Sequence, residues 1–172
     1  MQPLAARLAR GEEAAFAELY DACADRLIGY LTARLGSRDV AKDVLQASFL
    51  RAVKSRRRFR GVENPVAYLF QIARNEAARA AKRWPRGRDE PLPAEALFAA
   101  DDGRGQQEDA EVVALALARL PADVRELVEL KIYAGLTFRE IAEVVGLPQG
   151  TVATQYRRGL ESLRGWLERQ LR

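Results

Sequence analysis

Apolar residues recur at intervals of three and four along both halves of the chain, the spacing that predicts amphipathic helices rather than strands. The longest such row predicts one buried helical face formed by Phe16, Leu19, Tyr20, Cys23, Leu27 and Leu31. Gly36-Ser37 predicts the end of this helix, and Ser37 or Asp39 can start a second, over about residues 38–57. A third helix is expected to begin at Asn64-Pro65, since proline is tolerated in a first helical turn, and to stop before Pro85.

The second half predicts two helices divided at Pro121 and a further pair on either side of Gly146. Thr137 and Glu140 form a T-x-x-E pattern, in which each side chain caps a backbone N–H of the other residue. The short helix that follows turns Ile141, Val144 and Val145 inward, and Gly146 can end it in a left-handed conformation. The last helix has a predicted buried row at intervals of four, four, three and four: Val152, Tyr156, Leu160, Leu163 and Leu167.

The charge is unevenly distributed and divides the chain into three parts. Residues 1–88 carry 18 basic and 9 acidic residues, a net charge of +9, whereas residues 89–111 carry 1 and 8, a net of −7. Residues 112–172 carry 9 and 7, a net of +2. Because the acidic part is also rich in proline and glycine, we expect a linker over residues 85–107 between helical domains at 1–84 and 108–172. A basic first domain favours a polyanionic partner.

Composition excludes several classes of function. The chain has no histidine and one cysteine, so a zinc site, a histidine-based catalytic dyad and an intrachain disulfide are ruled out, and we expect neither a metal nor another cofactor. Cys23 lies on the apolar row and is expected to be a core thiol. The sequence shows no plausible combination of a catalytic nucleophile and a general base, which argues against an enzyme. No apolar run approaches the roughly 20 residues of a membrane span, and no secretory signal is present, so we expect no membrane insertion and a cytoplasmic protein.

The helix after Gly146 presents polar side chains suited to DNA. Opposite its apolar row lie Gln149, Thr154, Arg157 and Arg158, with Gln155 nearby. Two short helices joined by a glycine turn, the second bearing amide, hydroxyl and guanidinium groups, are typical of a helix-turn-helix motif. Arginine and glutamine match the major-groove edges of guanine and adenine. An ordinary amphipathic helical hairpin is the alternative.

Two further helical faces carry candidate chemistry. On the third helix, the polar residues Tyr68, Gln71, Asn75, Arg79 and Lys82 share one face. An aromatic ring, amides and cations on one stripe suit unstacked single-stranded DNA, although a solvated face with one core tyrosine would look the same. On the second helix, Asp39, Lys42, Asp43 and Gln46 share a face opposite the apolar positions. By itself such a face is usually only solvated.

Together these stretches resemble the extracytoplasmic-function (ECF) sigma factors, compact members of the sigma-70 family that direct bacterial RNA polymerase to promoters. FAELYDACADRLIGYLTARLGSRDVAKDVLQASFLRAV is similar to regions 2.1 and 2.2 of that family, and FRGVENPVAYLFQIARNEAAR to regions 2.3 and 2.4. LPADVRELVELKIYAGLTFREIAEVVGLPQGTVATQYRRGL is similar to region 4. The resemblance implies an all-α protein in which a region 2 helical bundle binds the promoter −10 element and a region 4 helix-turn-helix binds the −35 element.

The resemblance also implies partners and the residues that contact them. Region 2.2 docks on the β′ clamp helices of core polymerase through positions that match Asp39, Asp43, Gln46 and Phe49. Contacts to the −10 element match Arg60, Gly61, Glu63, Asn64, Tyr68, Arg74, Asn75 and Arg79, and Gln71 and Lys82 are added to this candidate site from the polar face of the third helix. Contacts to the −35 element match Lys131, Thr151, Thr154, Arg157 and Arg158, and Gln149 and Gln155 are added to this candidate site from the polar face of the same helix. The remaining implied partners are the polymerase β flap, promoter DNA and an anti-sigma factor that silences the protein by occlusion.

The recognition helix departs from the family pattern, in which cations are common at the positions of Ala153 and Gln155. This departure predicts an altered or weaker −35 contact. Two other functions remain open from the residues alone. A free-standing helix-turn-helix regulator that binds duplex DNA would explain residues 137–165 but not the Asp43 and Gln46 face. An interaction protein that occupies polymerase or a sigma-binding partner would need only the apolar and acidic surfaces.

Overall fold

The protein is described by a computed structural model that covers residues 2–83, 104–170 and 172. Within these residues every regular element is helical. The first half contains α1 (Leu4–Arg10), α2 (Glu13–Leu35), α3 (Arg38–Lys54), a 3₁₀ turn (Arg56–Phe59) and α4 (Pro65–Arg83). The second contains α5 (Arg104–Ala118), α6 (Ala122–Ile132), α7 (Phe138–Val145) and α8 (Gln149–Gln170). The predicted linker lies outside the described residues up to position 103, and its last four positions belong to α5.

Helix ends follow the predicted capping chemistry. Gly36 adopts a positive φ of 72°, and the Ser37 hydroxyl accepts a hydrogen bond from the Val40 N–H at 3.3 Å. The capping box of Thr137 and Glu140 is formed in both directions, and Gly146 ends α7 with a φ of 75°. Only α3 stops early, at Lys54 rather than near residue 57. Here the Ser55 hydroxyl donates to the Arg51 carbonyl at 2.7 Å, and the chain tightens into the 3₁₀ turn.

The first half packs α2, α3 and α4 around large buried side chains, including Tyr30, Phe59 and Phe70. Helix α1 was not predicted, and it packs on the 3₁₀ turn. Gly11 permits this contact in two ways: its φ is 81°, and a Cβ at this position would lie 2.9 Å from Arg56 Cδ. One predicted core position is wrong, because Tyr20 is 47 % exposed. Its ring packs on Phe49 at the surface, with 5.1 Å between ring centroids.

In the second half, α6, α7 and α8 form the predicted helix-turn-helix with its supporting helix. The predicted buried row on α8 is wrong at Leu160, which is 37 % exposed. Gly159 is buried in its place, and a Cβ there would lie 2.8 Å from Val124 Cγ1. The contact between α8 and α6 is therefore closer than a side chain would allow.

The two helical halves touch each other. Helix α7 packs on α4, and α6 packs on α2. One apolar cluster runs from Leu27 and Leu69 in the first half to Leu127, Ile141 and other residues of the second. None of the described helices is long and apolar enough to cross a membrane.

Candidate polymerase and nucleic-acid interfaces

The exposed face of α3 joins the predicted polymerase-binding residues to apolar side chains. Asp39, Asp43 and Gln46 are exposed and follow one another at steps of four and three, which places them on one stripe. Leu50 comes one further step of four along the same stripe and is 55 % exposed. Val53 beside it is 42 % exposed. Clustered exposed apolar side chains of this kind mark interaction sites.

Phe49, the fourth predicted polymerase-binding residue, is half-buried at the edge of this face and packs on Tyr20 of α2. We call Asp39, Asp43, Gln46, Phe49, Leu50, Val53 and Tyr20 the α3 surface. Sequence reasoning missed three of its members, Tyr20, Leu50 and Val53. The step of four from Gln46 to Leu50 is a usable signal, whereas the apolar spacing of α2 places Tyr20 in the core.

A cavity of about 260 Å³ lies beside the loop that enters α4. Its lining comprises Val62, Glu63, Asn64, Ala67, Tyr68 and Gln71, together with Glu143 of α7. Phe59 anchors the loop in the core, and the Tyr68 ring meets it edge-on with 5.0 Å between centroids. Asn64 caps α4, accepting a hydrogen bond from the Ala67 N–H at 3.0 Å. Predicted −10 residues therefore surround a space with an aromatic edge and amide groups.

The predicted DNA-facing stripe of α4 is largely present. Gln71, Asn75, Arg79 and Lys82 are exposed, while Tyr68 is half-buried against Phe59. Arg79 also donates to Glu76 at 2.6 Å, an exposed contact on the same helix. In the loop before α4, Arg60, Gly61 and Glu63 are exposed, and nothing lies within 4 Å of a Cβ built on Gly61.

Arg74 differs from the other predicted −10 residues, because α6 holds it. Its Nε donates to Glu126 Oε1 at 2.6 Å, and its Nη2 donates to Glu126 Oε2 at 3.2 Å. The Tyr30 hydroxyl donates to the same carboxylate at 3.1 Å. Beside them, Arg34 donates to Glu129 at 3.2 Å. A cleft of about 220 Å³ opens here, lined in part by Arg34, Arg74 and Glu126.

Burial and charge act in opposite directions on the two glutamates. Burial is the strongest influence on Glu126 and favours the neutral acid, but Arg74 and Arg34 hold its pKa below the usual value. For Glu129, burial raises the pKa despite the Arg34 contact. Burial also raises the pKa of Tyr30, and the negative charge of Glu126 adds to this effect. Glu126 therefore stays ionised as the acceptor for Arg74 and Tyr30.

The recognition helix α8 exposes Gln149, Arg157 and Arg158, while Thr151, Thr154 and Gln155 are half-buried. The Thr154 hydroxyl donates to the Gly150 carbonyl at 2.9 Å, and Gln155 Oε1 is buried without a hydrogen-bond partner among the described residues. The predicted −35 residue Lys131 lies on α6 and is half-buried. Its Nζ donates to the Leu136 carbonyl at 3.1 Å and lies 4.9 Å from the Phe138 ring centroid, so it braces the turn before α7.

No set of three Cys, Asp or Glu side chains within the described parts of the chain is arranged to hold a metal ion. The α3 surface, the polar stripe of α4 and the exposed face of α8 carry side chains suited to protein and nucleic-acid contacts.

Comparison with known families identifies both helical halves. The family model for Sigma-70 region 2 matches residues 19–86, and that for Sigma-70, region 4 matches residues 110–163. The RNA polymerase sigma factor CarQ of Myxococcus xanthus is 32 % identical over 161 residues, covering 92 % of each chain. The ECF RNA polymerase sigma factor RpoE of Cereibacter sphaeroides is 32 % identical over 157 residues, covering 89 % of this chain and 86 % of that one. The chain belongs to the ECF sigma factor family.

A solved structure agrees with the fold of this chain. The structure of CnrH in complex with the cytosolic domain of CnrY superposes with a TM-score of 0.74 at 24 % identity, covering 96 % of this chain and 95 % of CnrH. The all-α fold with region 2 and region 4 domains, predicted from the sequence, is confirmed. The assignment of single residues to polymerase, −10 or −35 contacts stays a prediction.

Proposed function

We propose that this sigma factor binds core RNA polymerase through the α3 surface and directs it to promoters whose −10 element is read by α4 and whose −35 element is read by α8. The observation that supports this most is the α3 surface, on which a row of carboxylates and an amide runs into exposed Leu50. A free-standing DNA-binding regulator leaves such a face unexplained. Region 2 is proposed to span residues 1–84 and region 4 residues 108–172, acting in the cytoplasm without catalysis or cofactor.

At the −10 element, we propose that flipped bases of the non-template strand enter the cavity beside Tyr68. Extracting a base from the duplex costs a few kcal/mol. Stacking on an aromatic ring returns about 1–3 kcal/mol per base, so captured bases can hold an opened state. Asn64 and Gln71 line this cavity, and their amides can hydrogen-bond base edges. Asn75, Arg79 and Lys82 extend the exposed stripe along α4 for the strand that follows.

At the −35 element, α8 is proposed to enter the major groove with its first turns, where Gln149, Arg157 and Arg158 are exposed. Ala153 and Gln155 offer no cation, so fewer phosphate contacts form here than is usual for the family. Binding at −35 is therefore proposed to be comparatively weak, and region 2 with polymerase supplies the remaining affinity. Lys131 is proposed to support this site by bracing the turn before α7 rather than by touching a base.

An anti-sigma partner is part of the proposal. CnrH, which has this fold, is seen in complex with a domain of CnrY. The exposed apolar members of the α3 surface, Tyr20, Leu50 and Val53, would be attractive contacts for a protein that blocks polymerase.

Matched single substitutions test the α3 surface. Asp43→Ala and Leu50→Ser should each weaken binding of the full chain to core polymerase by roughly 1–2 kcal/mol, about 5- to 30-fold in Kd, as expected for contributing interface residues. Asp25→Ala is the control, because Asp25 is an exposed aspartate on α2 with no described ion pair. Labelled variants would be titrated with core enzyme. If all three variants bound core polymerase with the same affinity as the unsubstituted chain, the assignment of the α3 surface to polymerase binding would be refuted.

A further inference from the structure

A single carboxylate joins the DNA-facing stripe of α4 to α3. Arg79 Nη1 donates to Glu76 Oε1 at 2.6 Å from three residues further along α4, and Arg51 Nε of α3 donates to the same oxygen. The Glu76 side chain is 13 % exposed, whereas the side chains of Arg51 and Arg79 are 53 % and 52 % exposed. The most enclosed member of this group is therefore the carboxylate that the two arginines share.

Arg51 connects this group to the helix that carries the α3 surface. It directly follows Leu50, and α3 and α4 pack against each other. A cavity of about 380 Å³ opens at this point, lined in part by Leu50, Arg51 and Glu76. Arg79 is thus held, through Glu76, against the helix that is proposed to bind polymerase.

The contact leaves Arg79 able to bind DNA. A guanidinium has five N–H donors, and the hydrogen bond to Glu76 uses one of them. About half of the Arg79 side chain stays exposed, so its other donors can reach a phosphate oxygen. Glu76 therefore restrains this arginine without occupying it.

Restraint of this kind affects binding more than stability. Ion pairs between exposed side chains contribute little to the free energy of unfolding. A free arginine side chain has many rotamers, however, and immobilising it at an interface opposes binding. An arginine that is already held in place loses less conformational freedom when DNA binds.

We propose that Glu76 is a positioning residue, which orients Arg79 for a phosphate of the −10 strand and anchors it to α3 through Arg51. This inference rests on the proposed function, because it assumes that Arg79 serves the −10 strand. It gives an acidic residue a favourable role in DNA binding, although a carboxylate by itself repels phosphates. The sign of the effect of removing Glu76 therefore tests the proposal.

Glu76→Gln removes the negative charge with little change in shape. Fluorescence anisotropy of the full chain with a labelled single-stranded DNA oligonucleotide of mixed sequence would give the affinity at several salt concentrations. We expect the variant to bind about two- to tenfold more weakly, the range expected when one long side chain has to be ordered on binding. The salt slope should also fall by up to about 0.7, as for the loss of one phosphate contact to a single strand. Without a positioning role, removal of a negative charge near DNA would leave the affinity unchanged or raise it.

A double-mutant cycle shows whether Glu76 acts through Arg79. Arg79→Gln alone should weaken DNA binding, and adding Glu76→Gln to it should weaken binding no further, because there is no longer an arginine to position. Arg51→Gln is a second variant should Glu76→Gln impair folding, which circular dichroism would report, and its effect should likewise vanish without Arg79. The control is Glu13→Gln, which removes the same charge from an exposed position of α2 that has no ion pair among the described residues, and it should bind like the unsubstituted chain.

Unchanged or tighter DNA binding by Glu76→Gln would overturn the proposal, and so would an equal loss with and without Arg79. If Arg79→Gln weakens DNA binding but Glu76→Gln does not, the proposed function stands and the positioning role is lost. If Arg79→Gln has no effect, both the positioning role and the assignment of Arg79 to the −10 strand are lost. A cycle that behaves as expected in a chain that does not bind core polymerase keeps the positioning role and removes the proposed function.

Discussion

Gly159 provides a sharp test of how region 4 is packed, because an alanine at this position would have two opposite effects on the stability of the protein. Replacing glycine by alanine in a helix interior stabilises it by about 1 kcal/mol. At Gly159, however, the new Cβ would lie 2.8 Å from Val124 Cγ1 and 3.4 Å from Val128 Cγ2. Valine side chains in a helix have one strongly preferred rotamer and cannot swing away, and overpacking of this kind costs about 1–3 kcal/mol. We therefore expect Gly159→Ala to destabilise the protein by roughly 1 kcal/mol.

Gly165→Ala is the matched control, since Gly165 lies on the same helix and the nearest atom to its Cβ is Arg169 Nη1 at 3.5 Å. That distance is an ordinary van der Waals contact, so only the higher helix propensity of alanine remains. The control variant should therefore be stabilised by about 0.5–1 kcal/mol. Urea unfolding followed by circular dichroism would give both midpoints, compared at unchanged slope. If Gly159→Ala stabilised the chain as much as the control does, the close contact between α6 and α8 would be refuted.

Three further predictions concern single side chains. The Cys23 thiol is 1 % exposed and burial raises its pKa to about 12, so a thiol reagent should label it only after unfolding; rapid labelling of the native chain would contradict this. Arg158→Ala should weaken binding to duplex −35 DNA and lower the salt slope by about 0.9, whereas Arg164→Ala on the same helix, where Arg164 pairs with Glu168, should change neither. Phe59→Leu should cost roughly 1–3 kcal/mol in urea unfolding, from two lost ring contacts, and an unchanged midpoint would show that these contacts contribute nothing.

Local signals in the sequence predicted most helix boundaries. Capping residues act within one helical turn, so Ser37, Thr137 and the glycines that end α2 and α7 carried enough information by themselves. Helix α1 was not predicted, because its stability comes from packing on the 3₁₀ turn. The absence of a side chain at Gly11 leaves room there for the Arg56 side chain.

Periodicity alone could not tell which apolar residue faces the core. Tyr20 and Leu160 both fit their rows, yet both are exposed. On α8 the line of contact passes through Gly159, a residue that no apolar scale selects. Which residue of α8 is buried depends on the distance between α8 and α6, and that distance is a tertiary property.

The candidate sites were predictable only in part, because helical spacing shows which residues share a face but not which faces meet. Exposed polar stripes on α3, α4 and α8 follow from helical spacing, and the structure exposes most of their members. The pairing of Arg74 with Glu126 joins residues 52 positions apart, and that of Asn64 with Glu140 joins residues 76 positions apart. No local pattern links such positions, so their mutual contact had to come from the structure.

Binding of the purified chain to core RNA polymerase, followed by run-off transcription from a cognate promoter, tests the central proposal most directly. The proposal predicts tight binding to core enzyme without DNA, and transcription that core enzyme alone does not give. Good affinity for duplex DNA with no binding to core enzyme would contradict it and would favour a free-standing helix-turn-helix regulator.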